Sequence, residues 1–334
     1  MPRSVDISIV LPILNEEKNL EELHFRLTET LAKSGMEYEI IAVDDGSTDG
    51  SFEVLKRLHQ QDPRLKAIRF RRNFGQTAAI SAGFHHAKGD IIITMDSDLQ
   101  NDPGDIPRLL DKMKEGYDVV SGWRADRKDK LLSRRLPSIL ANKLIVKMTG
   151  VKIHDFGCTL KAYRKEVTDN INLYGEMHRF IPALAKWIGA EITEIKVKHH
   201  PRKHGKSKYG ISRTTRVILD LITVKFLLTF STRPIQIFGL MGLGSGVLGF
   251  LICLYLSIGK LFFPSEATSL TKRMPMLLLG ILLILVGVQL ITMGLLGEIM
   301  IRTYHESQRK PIYVIREVVG EETHKEPTDT EETK

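Results

Sequence analysis

Asp96-Ser97-Asp98-Leu99-Gln100 closes a short apolar run, Ile91 to Met95. Two carboxylates one residue apart, with an amide two positions further on, are hard oxygen donors. Such a set can hold one Mg2+ or Mn2+ that also bridges phosphate oxygens. An Asp-x-Asp on its own is more often a solvated acidic turn, so the surrounding elements must separate the two readings. The apolar run reads as a buried parallel strand. In open α/β sheets, ligands bind just outside the carboxyl ends of the strands.

The first 125 residues repeat that arrangement. Ile7–Ile13 is an apolar run with Pro12 near its end and Asn15 and Glu16 just beyond, and Glu16–Ala32 has helical periodicity with Asn15 as a candidate N-cap. Glu39–Val43 reads as a strand ending in Asp44-Asp45-Gly46-Ser47. Phe52–His59 reads as helix, Leu65–Phe70 as strand, and Gln76–His86 as helix after Asn73-Phe74-Gly75. Pro103 opens a further helix, and Asp118–Gly122 is a fifth strand followed by Arg124. Alternation of this kind predicts a Rossmann-like α/β fold with a mostly parallel sheet and helices on both faces. The polar clusters then converge on one edge of the sheet.

No Gly-x-Gly-x-x-Gly follows the first strand and no Gly-x-x-x-x-Gly-Lys-Ser/Thr occurs. This argues against a dinucleotide dehydrogenase and a P-loop enzyme. The mean hydropathy of −0.09 averages two populations. Residues 235–258 carry no charge, and residues 275–300 carry only Glu298. Each run is apolar all round and long enough to cross a bilayer, so two transmembrane helices are expected. The basic residues Arg213, Arg216, Lys225 and Arg233 precede the first run, and Arg302, Arg309 and Lys310 follow the second. That bias puts both termini and the catalytic part in the cytosol. The chain has two cysteines, Cys158 and Cys253, which suits a reducing compartment. No signal peptide is expected at the start.

Asp44-Asp45-Gly46-Ser47-Thr48-Asp49, Asn73-Phe74-Gly75 and Asp96-Ser97-Asp98-Leu99-Gln100, in that order, resemble the family 2 glycosyltransferases of GT-A fold. Within them the chain resembles the polyprenyl-phosphate glycosyltransferases, the bactoprenol glucosyltransferase and dolichol-phosphate mannose synthase branch. The likeness covers roughly residues 5 to 210, and the two spans are similar to the bacterial members. The resemblance implies that Pro12, Asn15, Glu16, Asp44, Gly46 and Ser47 contact the nucleotide. It implies that Asp96, Asp98 and Gln100 hold the metal ion against the diphosphate. Arg124, Arg134 and Ser138 match positions that grip the acceptor phosphate, a role suited to the planar guanidinium fork. Asp155, in His154-Asp155-Phe156-Gly157-Cys158, resembles a position near the sugar, as base or as orienter of hydroxyls. Arg202 and Lys208 resemble a mobile loop that closes over the diphosphate.

Residues 196–216 hold eight Lys or Arg and no acid, within a chain of net charge +8. Such a strip also adheres to anionic lipid. No nucleic-acid motif accompanies it, so nucleic acid is not an expected partner. His199, His200 and His204 read as part of this basic loop and not as a zinc site. The expected division is a catalytic domain over 1–210, an interfacial amphipathic helix over 211–233, two spans within 234–302, and a cytosolic tail over 303–334 with a disordered end. Gly242, Ser245, Gly246 and Gly249 lie at spacings that let helices pack closely, between copies or between the two spans.

The function expected from all this is transfer of one hexose, with inversion, from a nucleotide sugar to a polyprenyl phosphate at the bacterial inner membrane. UDP-glucose and undecaprenyl phosphate are the first choice. GDP-mannose with dolichyl phosphate is the alternative. A non-catalytic nucleotide-binding scaffold for a flippase is the rival of another class. Membrane lipid, a homo-oligomer, a flippase and a downstream glycosyltransferase complete the expected partners.

Overall fold

The computed structural model describes residues 5–125, 145–146, 149–173, 177–201, 203, 235–262, 273–307 and 312–320. The chain divides into two compact units. One comprises Met1–Val224 with Pro311–Lys334; the other is Lys225–Lys310.

The first unit is an eight-stranded sheet flanked by helices. Its strands are β1 (Ile7–Ile13), β2 (Tyr38–Asp44), β3 (Leu65–Phe70), β4 (Ile91–Thr94), β5 (Val119–Trp123), β6 (Lys161–Arg164), β7 (Ile192–Lys196) and β8 (Ile315–Val319). They lie in the order β7-β5-β6-β4-β1-β2-β3-β8. The central strands β1, β2 and β4 are rich in Ile and Val and buried on both faces, as parallel strands covered by helices must be. β1 pairs in parallel with β2 and β4, β2 with β3, and β5 with β7. β6 runs antiparallel to both β4 and β5. Six strands therefore point their carboxyl ends at one edge, and β6 brings its first residue, Lys161, to that same edge.

The helices are α1 (Leu20–Ala32), α2 (Ser51–Gln61), α3 (Gln76–His86), α4 (Ile106–Lys114), α5 (Lys165–Asp169) and α6 (Ile181–Trp187). α1 buries Leu20, Leu23, Leu27 and Leu31, one stripe at helical spacing. α3 is nearly all small residues on its buried side, and a Cβ added at Gly83 would clash with the Val10 side chain. That close approach seats α3 directly on β1, with its first turn at the carboxyl edge.

The sequence placed Asn15 as the cap of a helix starting at Glu16. In the fold the helix begins at Leu20 with Asn19 before it, and Asn15 takes a left-handed φ of 55°. Three strands were not anticipated. β6 is a short Lys-Ala-Tyr-Arg segment with charged ends. β7 and β8 alternate polar and apolar residues within basic or acidic surroundings.

β8 lies beyond the second apolar helix, in the segment expected as a tail. It pairs antiparallel with β3 from Ala67↔Val319 to Phe70↔Ile315. Tyr313 stacks on Phe70 with ring centroids 5.0 Å apart, and its hydroxyl is 2.9 Å from His85 Nδ1. Lys56 reaches Glu317 at 2.8 Å. The expected disordered end, beyond Gly320, and the expected interfacial helix over 211–233 lie outside the described residues.

The second unit is a pair of long helices, α7 (Ile235–Phe262) and α8 (Met274–Ser307). Phe238–Phe262 and Met274–Leu296 are long and apolar enough to cross a membrane. Glycines let the two backbones touch: a Cβ at Gly242 would come within 2.5 Å of the Gly287 carbonyl oxygen, and Gly249 faces Gly280 in the same way. Ser245 Oγ donates to the Leu283 carbonyl at 2.8 Å. The small-residue stripe is used by this helix pair.

Candidate active site

At the edge where the strands end, β2 delivers two neighbouring aspartates to different tasks. Asp45 accepts from the backbone N–H groups of Phe74 and Gly75 at 2.6 and 2.9 Å, which fixes the turn into α3. Asp44 is completely buried. Its Oδ1 accepts from Ser47 N at 3.0 Å, while Oδ2 has no hydrogen bond. The Arg69 guanidinium stands 3.5 Å from that oxygen without hydrogen-bond geometry. Gly46 has φ of 72°, and a side chain there would strike the Arg72–Asn73 backbone. Glycine is thus required at this turn.

The β1 end is laced to the same turn. Asn15 N donates to Ser47 Oγ at 2.9 Å, Asn15 Oδ1 accepts from Thr48 N at 2.8 Å, and Glu16 N donates to Ser51 Oγ at 2.9 Å. Ser97 Oγ donates to the Pro12 carbonyl at 3.0 Å, joining this lacing to the β4 tip. Asn15, Glu16 and Ser47 therefore act first as scaffold.

At the β4 tip, Asp98 is buried and Asp96 half-buried. Gln76, the first residue of α3, donates its amide to Asp96 Oδ1 at 2.8 Å. Burial and the neighbouring Asp98 charge push the Asp96 carboxyl above its ordinary range. Leu99 adopts a left-handed φ of 61° and Asp98 Oδ1 accepts from Gln100 N at 3.1 Å, so the carboxylate turn is tight. Gln100 turns its amide toward the His200 carbonyl, 3.4 Å away, and His200 N donates to the Gln100 carbonyl at 2.8 Å. His200 Nε2 sits 3.0 Å from Asp102 Oδ2. The carboxylate turn is thereby sewn to the segment that leads into the basic loop.

Arg124 and Asp155 form one unit. Arg124 Nε and Nη2 donate to the two Asp155 oxygens at 2.7 and 3.0 Å, and Gly157 N donates to Oδ1 at 3.1 Å. Burial alone would lower the Arg124 pKa, but the Asp155 carboxylate raises it well above the usual value. The sequence assigned these two residues to different substrates; the fold pairs them. Arg134, Ser138, Arg202, Lys208 and His204 lie outside the described residues.

Sequence reasoning missed Gln76, Thr159 and Lys161. Gln76 follows a recognisable turn, Asn73-Phe74-Gly75, and its position as the first residue of a helix at the strand tips was the available signal. The Thr159 hydroxyl accepts from Asn101 Nδ2 at 3.1 Å, and the Thr159 carbonyl accepts from Thr94 Oγ1 at 2.7 Å. Lys161 is buried beneath the Asp155 turn. Neither carries a motif, because both depend on β6 being in the sheet.

Residues 8–171 match the family model for glycosyl transferase family 2. The chain is 43% identical over 325 residues to the dodecaprenyl-phosphate galacturonate synthase of Rhizobium johnstonii, covering 96% of this chain and 95% of that protein. It is 39% identical over 320 residues to the undecaprenyl-phosphate 4-deoxy-4-formamido-L-arabinose transferase of Pseudomonas aeruginosa, covering 95% and 92%. The crystal structure of glucosyl-3-phosphoglycerate synthase from Mycobacterium tuberculosis, in complex with Mn2+, UDP and phosphoglyceric acid, superposes with a TM-score of 0.53 at 19% identity. That match covers 66% of this chain and 78% of that one, and the likeness is one of fold. Alignment with these relatives runs through both apolar helices, and on that footing the chain belongs to glycosyl transferase family 2, as a glycosyltransferase of GT-A fold.

Proposed function

We propose that the enzyme moves one sugar from a nucleoside diphosphate sugar to a polyprenyl phosphate, with inversion at the anomeric carbon. The observation that carries this reading is the convergence of Asp96, Asp98 and the Arg124–Asp155 pair on one sheet edge, with Gln76 bonded to Asp96. The names of the two relatives, aligned nearly end to end, supply the acceptor class.

Asp96 and Asp98 fit a divalent cation: they are two oxygen donors on one tight turn, and the nearest thiol, Cys158, is buried with its pKa pushed up by burial. When bound, Mg2+ or Mn2+ would neutralise charge growing on the leaving diphosphate. Asp44 Oδ2, buried and without a hydrogen bond, supports a role as acceptor of a nucleobase N–H. Arg124 has five N–H donors in its fork and spends two groups on Asp155, leaving the remainder for an anion. Asp155, already engaged by three donors, acts as the holder of Arg124 and not as a base. The acceptor needs none, because a phosphate oxygen is largely ionised at neutral pH. That oxygen bonds to the anomeric carbon as the bond to the diphosphate breaks.

The two relatives name galacturonate and a formamido-arabinose, not glucose. We therefore rank an acidic or 4-substituted sugar above the UDP-glucose expected from sequence. Both termini are assigned to the cytosolic side of a bacterial inner membrane. β8 supports this, since the chain after the second apolar helix returns to the sheet that the chain before the first one builds.

The test is incubation of the purified full chain with UDP-glucose, UDP-galacturonate, the UDP-linked formamido-arabinose and GDP-mannose, each with undecaprenyl or dolichyl phosphate. Mass spectrometry of the lipid fraction should find one polyprenyl-phosphate sugar. Nucleotide release without any glycolipid from every combination would overturn the acceptor assignment.

A further inference from the structure

A fully buried lysine is rare unless its charge is paired. Lys161 is 2% exposed, at the start of β6, and burial pulls its pKa below the ordinary lysine value. Its Nζ donates to the carbonyls of Phe156, at 3.3 Å, and Cys158. No carboxylate is bonded to it among the hydrogen bonds described, yet it lies within electrostatic reach of Asp155 and Asp96.

The turn it holds is pinned at almost every residue. Asp155 is gripped by Arg124, and Gly157 N bonds back to Asp155. The Thr159 carbonyl accepts from Thr94 Oγ1 at 2.7 Å, and the Leu160 carbonyl from Gly122 N at 2.9 Å. Little room exists for the turn to shift on its upper side, because a Cβ at Gly157 would come within 3.2 Å of Arg124 Nη2. From this one turn, Asp155 reaches the Arg124 fork, and Thr159 is bonded to Asn101 Nδ2 and to Thr94 Oγ1, the last residue of the strand that leads to Asp96. Neutral donors could satisfy two carbonyls; a lysine adds a positive charge within electrostatic reach of Asp155 and Asp96.

Resting on the glycosyltransferase reading above, we propose that Lys161 is a positioning residue for the transfer step: its buried ammonium fixes the turn 155–159, so that Arg124 and Asp96 face the reacting centre at a set separation. It touches no substrate. Misplacement of a reacting group by about 1 Å can cost about a hundredfold in rate, which sets the expected effect.

The experiment compares Lys161→Met, Lys161→Gln and Lys161→Arg in the full chain, with Lys165→Met as a reference outside the site. Thermal melting reports folding, calorimetry reports UDP binding with Mn2+, and transfer from the donor active in the panel gives kcat and KM. Lys161→Met should lower kcat about a hundredfold, with UDP affinity within threefold of wild type. Lys161→Gln, which keeps one donor, should fall between, and Lys161→Arg should recover at least tenfold over Lys161→Met. A folded Lys161→Met with kcat within threefold of wild type would overturn the proposal. So would a loss confined to UDP affinity, or failure of all three variants to fold, since lysine would then serve stability alone. If wild type itself transfers no sugar, the glycosyltransfer reading fails and not the role of Lys161 within it.

Discussion

β2 carries a buried carboxylate at each end, and the two are treated oppositely. Glu39, at its start, is 3% exposed and fully engaged: it accepts from Ser8 Oγ at 2.6 Å, Lys66 Nζ at 2.5 Å and Lys88 N at 2.7 Å. Burial would raise its pKa, but those three donors hold it below the ordinary value. Asp44, at the other end, is more deeply buried and has one oxygen without a hydrogen bond. Asp96, two strands over at the tip of β4, has its carboxyl pushed up by burial and by Asp98. A carboxylate compensated by its own protein is a structural device. One left with fewer donors, as Asp44 is with Ser47 N and a guanidinium at 3.5 Å, carries a cost that a ligand can offset.

The comparison is broken most strongly at the edge where the strands end. Asp98→Asn should lower transfer about a thousandfold, roughly 4 kcal/mol of transition-state stabilisation, while thermal melting stays near wild type. At the compensated end the effects should swap. Glu39→Gln should cost about 3 kcal/mol of stability, the penalty for breaking a buried ion pair, with kcat per folded molecule unchanged. Denaturation and initial rates on the same samples would separate the two; a Glu39→Gln variant with normal stability and lost activity would erase the distinction.

A finer contrast lies between adjacent residues. Asp44→Asn should raise the Kd for UDP about ten- to a hundredfold, since a hydrogen bond to a charged group is worth about 1.5 to 3 kcal/mol. Asp45→Asn should instead lower the melting temperature, because Asp45 accepts from Phe74 N and Gly75 N. Calorimetric titration with UDP distinguishes them. The smallest effect is in pH. The Glu39 pKa is lower folded than unfolded, so its contribution is fully present above the unfolded value of about 4.3. It is lost as pH falls through the folded-state pKa. Wild type should lose more stability than Glu39→Gln across that acid range, and parallel curves would contradict the reading of Glu39.

The carboxyl end of the strands was the legible one. Asp44 closes β2 and Asp96 and Asp98 follow β4, each at the end of an apolar run, so type and position alone announce them, and five strands were readable from their apolar content. Glu39 and Lys66 lie inside strands and look like solvated alternation until the strands are paired. The pairing of Arg124 with Asp155 was hidden for a topological reason. It depends on β6 entering antiparallel between β4 and β5, and Lys-Ala-Tyr-Arg has no strand-like pattern. β8 was hidden because its partner β3 is more than two hundred residues earlier in the chain, across both apolar helices.

The most direct test of the account is Mn2+ binding followed by electron paramagnetic resonance, with and without UDP, on wild type, Asp98→Asn and Glu39→Gln. UDP-enhanced Mn2+ binding is expected in wild type and in folded Glu39→Gln, and its loss in Asp98→Asn. Equal Mn2+ binding by wild type and Asp98→Asn would contradict the assignment of the β4 tip as the metal and diphosphate site.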